Sequence, residues 1–342
     1  MDFERARAGV VVVSSWRAYS GGLERSGCLP GEACRESKSV YLGSRVPLTA
    51  VLVLSMSAAW QHEERRPRLM VVGAGDRDNV RQTYASLRDT LRTQMDLVAE
   101  DFDFSQDLEA VQADLAVVLG GDGTILRAAN AMGTNQLPVL GVNLGKLGFL
   151  AALSPSQLID VLPDVCSGRF QVVDHLMFEC SVVRDGAVVE QRMGLNEAAI
   201  LAGPPYSMLD VDLYVDAEIA TTYSCDGLII STPVGSTAHS LSAGGPILRK
   251  NLQAFVISPI SPHTLTVRPV VDTADRVYEM SVKEPHEATS IVVDGQVLCR
   301  LQADDRVRVQ RARARFKLIE VRGHNYYRTL RDKLGWGGSA KR

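Results

Sequence analysis

At 342 residues, 46% of them hydrophobic, the chain is long enough to bury one or two sizeable cores. Its formal net charge of −3 carries no basic excess, which argues against nucleic acid as the main partner. The six cysteines form no Cys-x-x-Cys pair and no histidine cluster lies near them, so a zinc site has no support and free thiols in a reducing cytosol are expected.

Residues 1–65 show neither helical nor strand periodicity, and Gly21-Gly22, Pro30-Gly31 and a run of serines and arginines read as a disordered extension. The apolar run from Leu48 to Ala59 is too short to span a membrane and begins too far into the chain for a signal peptide. No membrane partner is expected. Met56 is a candidate start, in which case a chain beginning there keeps full activity and solubility.

Residues 66–165 read as α/β. Leu69 to Val72 predicts a buried strand, and Val80, Tyr84, Leu87, Leu91 and Met95 line one face of a helix. Leu115 to Leu119 and Pro138 to Val142 predict two more strands around a helix from Thr124 to Met132. This β-α-β alternation implies a parallel sheet with helices on its faces. After about Asp174 the period becomes two, as in Val211, Leu213 and Val215 alternating with Asp210, Asp212, Tyr214 and Asp216, and residues 166–321 are expected as a β-rich domain. Ala187 to Glu190, Leu228 to Ile230, Arg276 to Met280, Ser290 to Val293 and Arg306 to Val309 are further strand-like runs. An antiparallel, all-β second domain fits them.

Two stretches carry chemistry. In Gly120-Gly121-Asp122-Gly123-Thr124 the glycines fall at a strand-to-helix turn, where outward backbone N–H groups favour phosphate. A carboxylate there repels phosphate unless it holds a cation or accepts a proton from the attacking group, which points to phosphoryl transfer. Taken alone, the same residues also make an ordinary tight turn with Asp122 as a helix cap. The second stretch, Asp226 to Pro246, interleaves Gly235, Gly244 and Gly245 with the hydroxyls of Ser231, Thr232, Ser236, Thr237, Ser240 and Ser242. Such a loop can surround a nucleotide with short donors. Neither stretch is a Walker loop or a Gly-x-Gly-x-x-Gly fingerprint.

Together these residues resemble the NAD kinases, which phosphorylate the adenosine ribose 2′-hydroxyl of NAD to give NADP. The resemblance runs from about Leu69 to Trp336. It takes in Gly120 to Thr124, Gly141 to Leu150, Gly194-Leu195-Asn196-Glu197, Asp226 to Pro246, Pro262 to Leu265 with Arg268-Pro269, Asp294-Gly295-Gln296, and Thr329 to Trp336. It departs at His239, where the family usually carries tyrosine. The Gly-Gly-Asp-Gly-Thr loop is shared with lipid and sugar kinases; Asn196-Glu197 and the 226–246 block are much more specific.

The resemblance implies a two-domain plan, with the tail 322–342 returning to the α/β domain and the ligand between domains. It implies Gly120, Gly121, Gly123 and Thr124 as donor-phosphate contacts, and Asp122 as the catalytic residue that orients the ribose hydroxyl and takes its proton late. Asn196 and Glu197 would grip the ribose, Thr237, Ala238 and Ser242 would recognise the adenine end, and His239, Ser240 and Leu241 would be further NAD-binding residues. Gln296 would be a further ligand contact, while Asp226 would reach the ligand of a neighbouring subunit, hence a homo-oligomer, dimer or tetramer. NAD and ATP are the implied substrates. A divalent cation, Mg²⁺, would be held mainly by donor phosphates with no metal-ligating residues in the chain, and the location would be cytoplasmic. The competing classes are a lipid or sugar kinase sharing only the glycine loop and a non-catalytic NAD(P)-binding sensor; the intact Asp122 weighs against the sensor.

Overall fold

The apolar run that predicts the first strand folds as β1 (Arg68–Gly73), which is buried beyond its first residue. The structure is a computed structural model that describes residues 65–75, 78–145, 148–321 and 326–335. The expected extension up to residue 64 and the Met56 start lie outside the described residues.

β2 (Asp96–Asp101) and β3 (Leu115–Leu119) pair in parallel on either side of β1, and β4 (Pro138–Val142) pairs in parallel with β3. The helices cover both faces because successive strand residues point to opposite sides. On one face α1 (Asp78–Gln94) and α3 (Pro155–Cys166) set Val80, Leu87, Leu91, Leu158 and Leu162 against Leu69, Val71, Val117 and Leu140. On the other, α2 (Asp122–Ala131) sets Ile125, Ala128 and Ala129 against Met70, Val72, Ala116 and Val118.

The second half is antiparallel. Its strands are β5 (Gln171–Arg184), β6 (Ala187–Gly194), β7 (Glu197–Leu201), β8 (Leu209–Val215), β9 (Glu218–Cys225), β10 (Gly227–Ser231), β11 (Ala254–Ile260), β12 (Val270–Thr273), β13 (Tyr278–Val282), β14 (Ser290–Val293), β15 (Gln296–Arg300) and β16 (Arg306–Glu320). Six of them form one sheet in the order β12-β11-β10-β7-β14-β15. The core between this sheet and its neighbour holds Phe178, Ile200, Leu228, Ile230, Phe255, Tyr278, Met280 and Ile291.

β16 joins the two halves. Its first part lies between β13 and β5, while Lys317 and Leu318 pair in parallel with Pro138 and Val139 of β4, so a single ten-stranded sheet runs through both domains. Two short helices complete the fold, α4 (His239–Ser242) and α5 (Tyr326–Leu334). α5 buries Leu330 and places Thr329 in the lining of a small cavity with Gly141, Leu153 and Glu320.

Three features depart from the sequence expectation. β2, not among the strands expected from the sequence, is an edge strand in which Asp96, Glu100 and Asp101 flank the apolar Leu97, Val98 and Ala99. α2 begins at Asp122 rather than Thr124, because a helix tolerates aspartate and glycine in its first turn, where the dipole favours an acid. β7 is too short and too continuously buried to show a period.

Candidate functional site

The strand order reverses between β1 and β3, so the crevice at their C-terminal ends is the switch point where open α/β sheets bind ligands. A cavity of about 250 Å³ lies there, lined by Ala74, Asn79, Gly120, Gly121, Thr124 and Asn143 among others. Gly120 has a φ of 152°, and a Cβ there would collide with the Thr124 side chain, so glycine is required. At Gly121 and Gly123 an added Cβ would meet nothing within 4 Å. No internal packing demands glycine at those two positions. Their bareness leaves backbone exposed at the start of α2, where unsatisfied N–H groups favour an anion.

Asp122 is not a helix cap. Gly121 occupies the cap position, without a side-chain cap bond. The Asp122 carboxylate instead accepts three backbone N–H groups from the loop after β4: Phe149 at 2.7 Å on Oδ2, and Leu150 at 2.9 Å and Ala151 at 3.0 Å on Oδ1. Gly148 is part of the same device, since a Cβ there would strike the Asp122 carboxylate. An ionised carboxylate offers about four lone-pair sites, so one direction on Oδ2 remains for a ligand hydroxyl.

A second carboxylate organises the opposite wall. Asp294, in the turn between β14 and β15, accepts from the N–H groups of Leu195 at 2.7 Å, Asn196 at 2.7 Å and Glu197 at 3.1 Å. Those bonds present the Asn196-Glu197 pair at the head of β7. Glu197 is buried and its Oε2 has no hydrogen-bond partner among the described residues. Burial first, and the charge of Asp294 second, push its carboxyl up to about 8. A buried acid left without a partner is costly, and a pair of donor hydroxyls arriving from a ligand would relieve it. Gly123 of α2, Asp294 and Gln296 line one cleft of about 240 Å³, together with Arg127, Asn130 and Arg192. Gln296 is exposed there, its Oε1 accepting from Arg192 at 3.5 Å.

The 226–246 block splits into scaffold and surface. Ser231, Thr232, Ser236 and Ser240 are fully buried and their hydroxyls are used internally. Thr232 donates to the Leu195 carbonyl at 2.5 Å, and its hydroxyl accepts from Val234 at 3.1 Å and Gly235 at 3.2 Å. Ser236 donates to Pro233 and accepts from Leu248, and Ser240 lies 3.0 Å from the Ser258 hydroxyl. The expectation of a ring of hydroxyl donors is corrected to this extent, because a long loop rich in hydroxyls must first satisfy its own backbone. Thr237, Ala238, His239 and Leu241 remain half-buried, and Ser242 is exposed. A Cβ on Gly235 would collide with the Asn196 carbonyl. Gly235→Ala is expected to lower stability by about 1–3 kcal/mol, read as a drop in Tm, through this overpacking.

Asp226 lies at the opposite end of β10 from the loop, about 17–20 Å away along the strand. Its neighbour Cys225 is fully buried, and burial pushes the thiol up to about 11, which makes it unreactive. Cys180 and Cys299 are also free thiols. Sequence reasoning missed the amides of Phe149 to Ala151, the anchoring carboxylate of Asp294, and Arg127 and Arg192 in the cleft. Asp294-Gly295 is legible as a hairpin turn, but its reach to β7 is a tertiary contact.

Residues 68–170 match the family model for the ATP-NAD kinase N-terminal domain, and residues 195–321 the one for the ATP-NAD kinase C-terminal domain. An NAD kinase of Rhodopirellula baltica is 58% identical over 274 residues, covering 80% of this chain and 88% of the relative. One from Geobacter sulfurreducens is 44% identical over 227 residues, 66% of this chain and 80% of that one. Among solved structures, an Archaeoglobus fulgidus NAD kinase in complex with ATP is 27% identical with a TM-score of 0.61, over 78% of this chain and 97% of that one. Yeast NADH kinase complexed with NADH shares the fold, with a TM-score of 0.73 at 22% identity, over 80% of this chain and 89% of that one. With both halves matched by the family models and a 58% identical relative covered over most of its length, the chain belongs to the NAD kinase family.

Proposed function

We propose that the chain transfers the γ-phosphoryl group of ATP to the 2′-hydroxyl of the adenosine ribose of NAD, giving NADP, in the cleft between Asp122 and the Asn196-Glu197 pair. The observation that carries this reading is the buried Glu197 carboxyl, whose Oε2 has no partner among the described residues and whose backbone is anchored by Asp294, a residue that lines one cleft with Gly123 of the glycine turn. Glu197 accepts from the ribose hydroxyls, and the remaining direction on Asp122 Oδ2 orients the attacking hydroxyl and receives its proton late. Gly120, Gly121, Gly123 and Thr124 receive the donor phosphates, with the crevice at the strand ends for the rest of the donor. Thr237, Ala238, His239, Leu241 and Ser242, with the backbone of Ser240, hold the adenine end, and Gln296 contacts the ligand from β15.

Residues 66–165 with the tail 322–342 then form the domain of the glycine loop, and 166–321 the NAD-binding domain. Asp226 acts on the ligand of a second copy, which makes the protein a homo-oligomer, a dimer or tetramer. Among the described residues no group of three or more His, Cys, Asp or Glu side chains could hold a metal, and Asp122 is taken up by three amides. That suits a Mg²⁺ ion held mainly by the donor phosphates, where it would neutralise their charge. No helix among the described residues is long and apolar enough to cross a membrane, and the cytoplasm is the location we infer.

Incubating the purified protein with NAD, ATP and Mg²⁺, then coupling product to an NADP-specific dehydrogenase, tests the reading. NADP formation dependent on all three is the expected result. NAD binding without product would indicate a sensor, and phosphorylation of a lipid or sugar alcohol instead of NAD would overturn the reading.

A further inference from the structure

We propose that Lys250 is a positioning residue for Asp122, a role that rests on the catalytic reading of Asp122 given above. Lys250 Nζ donates to the Phe149 carbonyl at 2.6 Å. The same peptide group carries the Leu150 N–H, which donates to Asp122 Oδ1 at 2.9 Å. A peptide unit is planar with its C=O and N–H pointing in opposite directions, so an ammonium holding the oxygen also fixes the direction of the N–H. The two bonds polarise one another, and the ammonium, the peptide and the carboxylate form a short relay.

The surroundings of Lys250 are not those of a surface lysine. Its side chain shares a cavity of about 50 Å³ with Gly141, Phe149, Leu153, Leu318 and Glu320. Burial lowers its pKa, and Asp122 and Glu320 act to raise it. An ammonium in such a wall is costly compared with a methionine of similar reach. Its backbone is held as well: the buried His175 ring nitrogen Nδ1 lies 3.4 Å from the Lys250 carbonyl.

The segment that carries Lys250 comes directly from the loop proposed to hold the adenine end. Leu248 donates to the Ser236 hydroxyl at 2.9 Å inside that loop. Loop, Lys250, the Phe149–Leu150 peptide and Asp122 are therefore in unbroken contact. Ordering the loop on NAD would steady the Asp122 carboxylate.

The test is a cycle of Lys250→Met with Asp122→Asn, combined with hydrogen exchange of the loop amides. In Lys250→Met, kcat for NADP formation is expected to fall by about 10- to 10²-fold with KM for NAD within about threefold, because a shift near 1 Å at the reacting group has that cost. In the Asp122→Asn background the same change is expected to cost less than about twofold, since Lys250 acts through that carboxylate. The amides of Phe149, Leu150 and Ala151 are expected to exchange at least about tenfold faster in Lys250→Met. An unchanged kcat, an equal loss in both backgrounds, or unchanged exchange at those amides would each overturn the proposal. Loss of Tm with kcat retained in the folded protein would assign Lys250 to stability alone and overturn it too. Lys250→Gln, neutral but still a donor, takes the same readouts if the methionine variant does not fold. If the wild-type protein makes no NADP, the catalytic reading fails by itself, and the exchange measurement still decides whether Lys250 holds the loop.

Discussion

Asp122→Asn is expected to lower turnover by about 10²- to 10⁴-fold, the range for losing a positioned acid or base. The substitution keeps size but replaces one oxygen by an amide nitrogen. Oδ1 can still accept from Leu150 and Ala151, whereas an NH₂ group facing the Phe149 N–H puts two donors together. Stability is therefore expected to fall by about 1–3 kcal/mol, the cost of one unsatisfied amide at a half-buried site. NAD affinity should change far less, because Asn196, Glu197 and their anchor Asp294 are untouched. Calorimetric NAD affinity, Tm and NADP formation on the same preparation separate the effects. Near wild-type turnover would remove Asp122 from the catalytic account, and joint loss of binding and fold would make it purely a loop anchor.

Glu197→Gln is expected to weaken NAD binding by roughly 10²-fold or more, because hydrogen bonds to an ionised partner contribute about 1.5–3 kcal/mol each. The same residue sets a pH dependence. Its carboxyl titrates near 8 in the folded protein against an ordinary value of 4.5, so the folded state holds a proton that the unfolded chain has released between those values. Its stabilising contribution is fully present below about pH 4.5 and is lost as pH rises through about 8. Relative to wild type, Glu197→Gln should accordingly gain stability between pH 5 and pH 8.5, by on the order of 3 kcal/mol. Binding adds a second readout. Ribose hydroxyls donating to Glu197 favour its ionised form, so NAD binding near pH 7 should release up to about one proton, which the glutamine variant should not. Calorimetry in buffers of different ionisation enthalpy counts that proton. Equal proton release by both proteins would place the ribose elsewhere.

The amino-acid order alone determined the elements whose period is long or whose turn chemistry is explicit. The run Leu115 to Leu119 into Gly120-Gly121 announces a strand and the entry to a helix because five apolar residues and two glycines leave few other conformations. The β-α-β alternation up to Val142 and the period-two pattern at Val211 to Val215 separate an α/β half from an antiparallel half in the same way. Asp122, Asn196-Glu197 and the 226–246 block are legible as chemistry, since residue types and spacing are local properties.

What the tertiary structure decided depends on partners distant in the chain. β16 shows a strand pattern, but only its register against both β4 and β5 reveals that one sheet passes through both domains. The hydroxyls of Ser231, Thr232, Ser236 and Ser240 look identical in sequence to that of Ser242. Burial decides that the first four serve the loop and leaves the last exposed. The roles of Asp294, of the Phe149–Ala151 amides and of Lys250 rest on hydrogen bonds across about 30 to 100 residues, which no periodicity encodes. Such contacts form only once the apolar faces of the helices and strands have packed and fixed the loops between them, because the entropy of closing long loops is repaid by that burial and not by the polar bonds themselves.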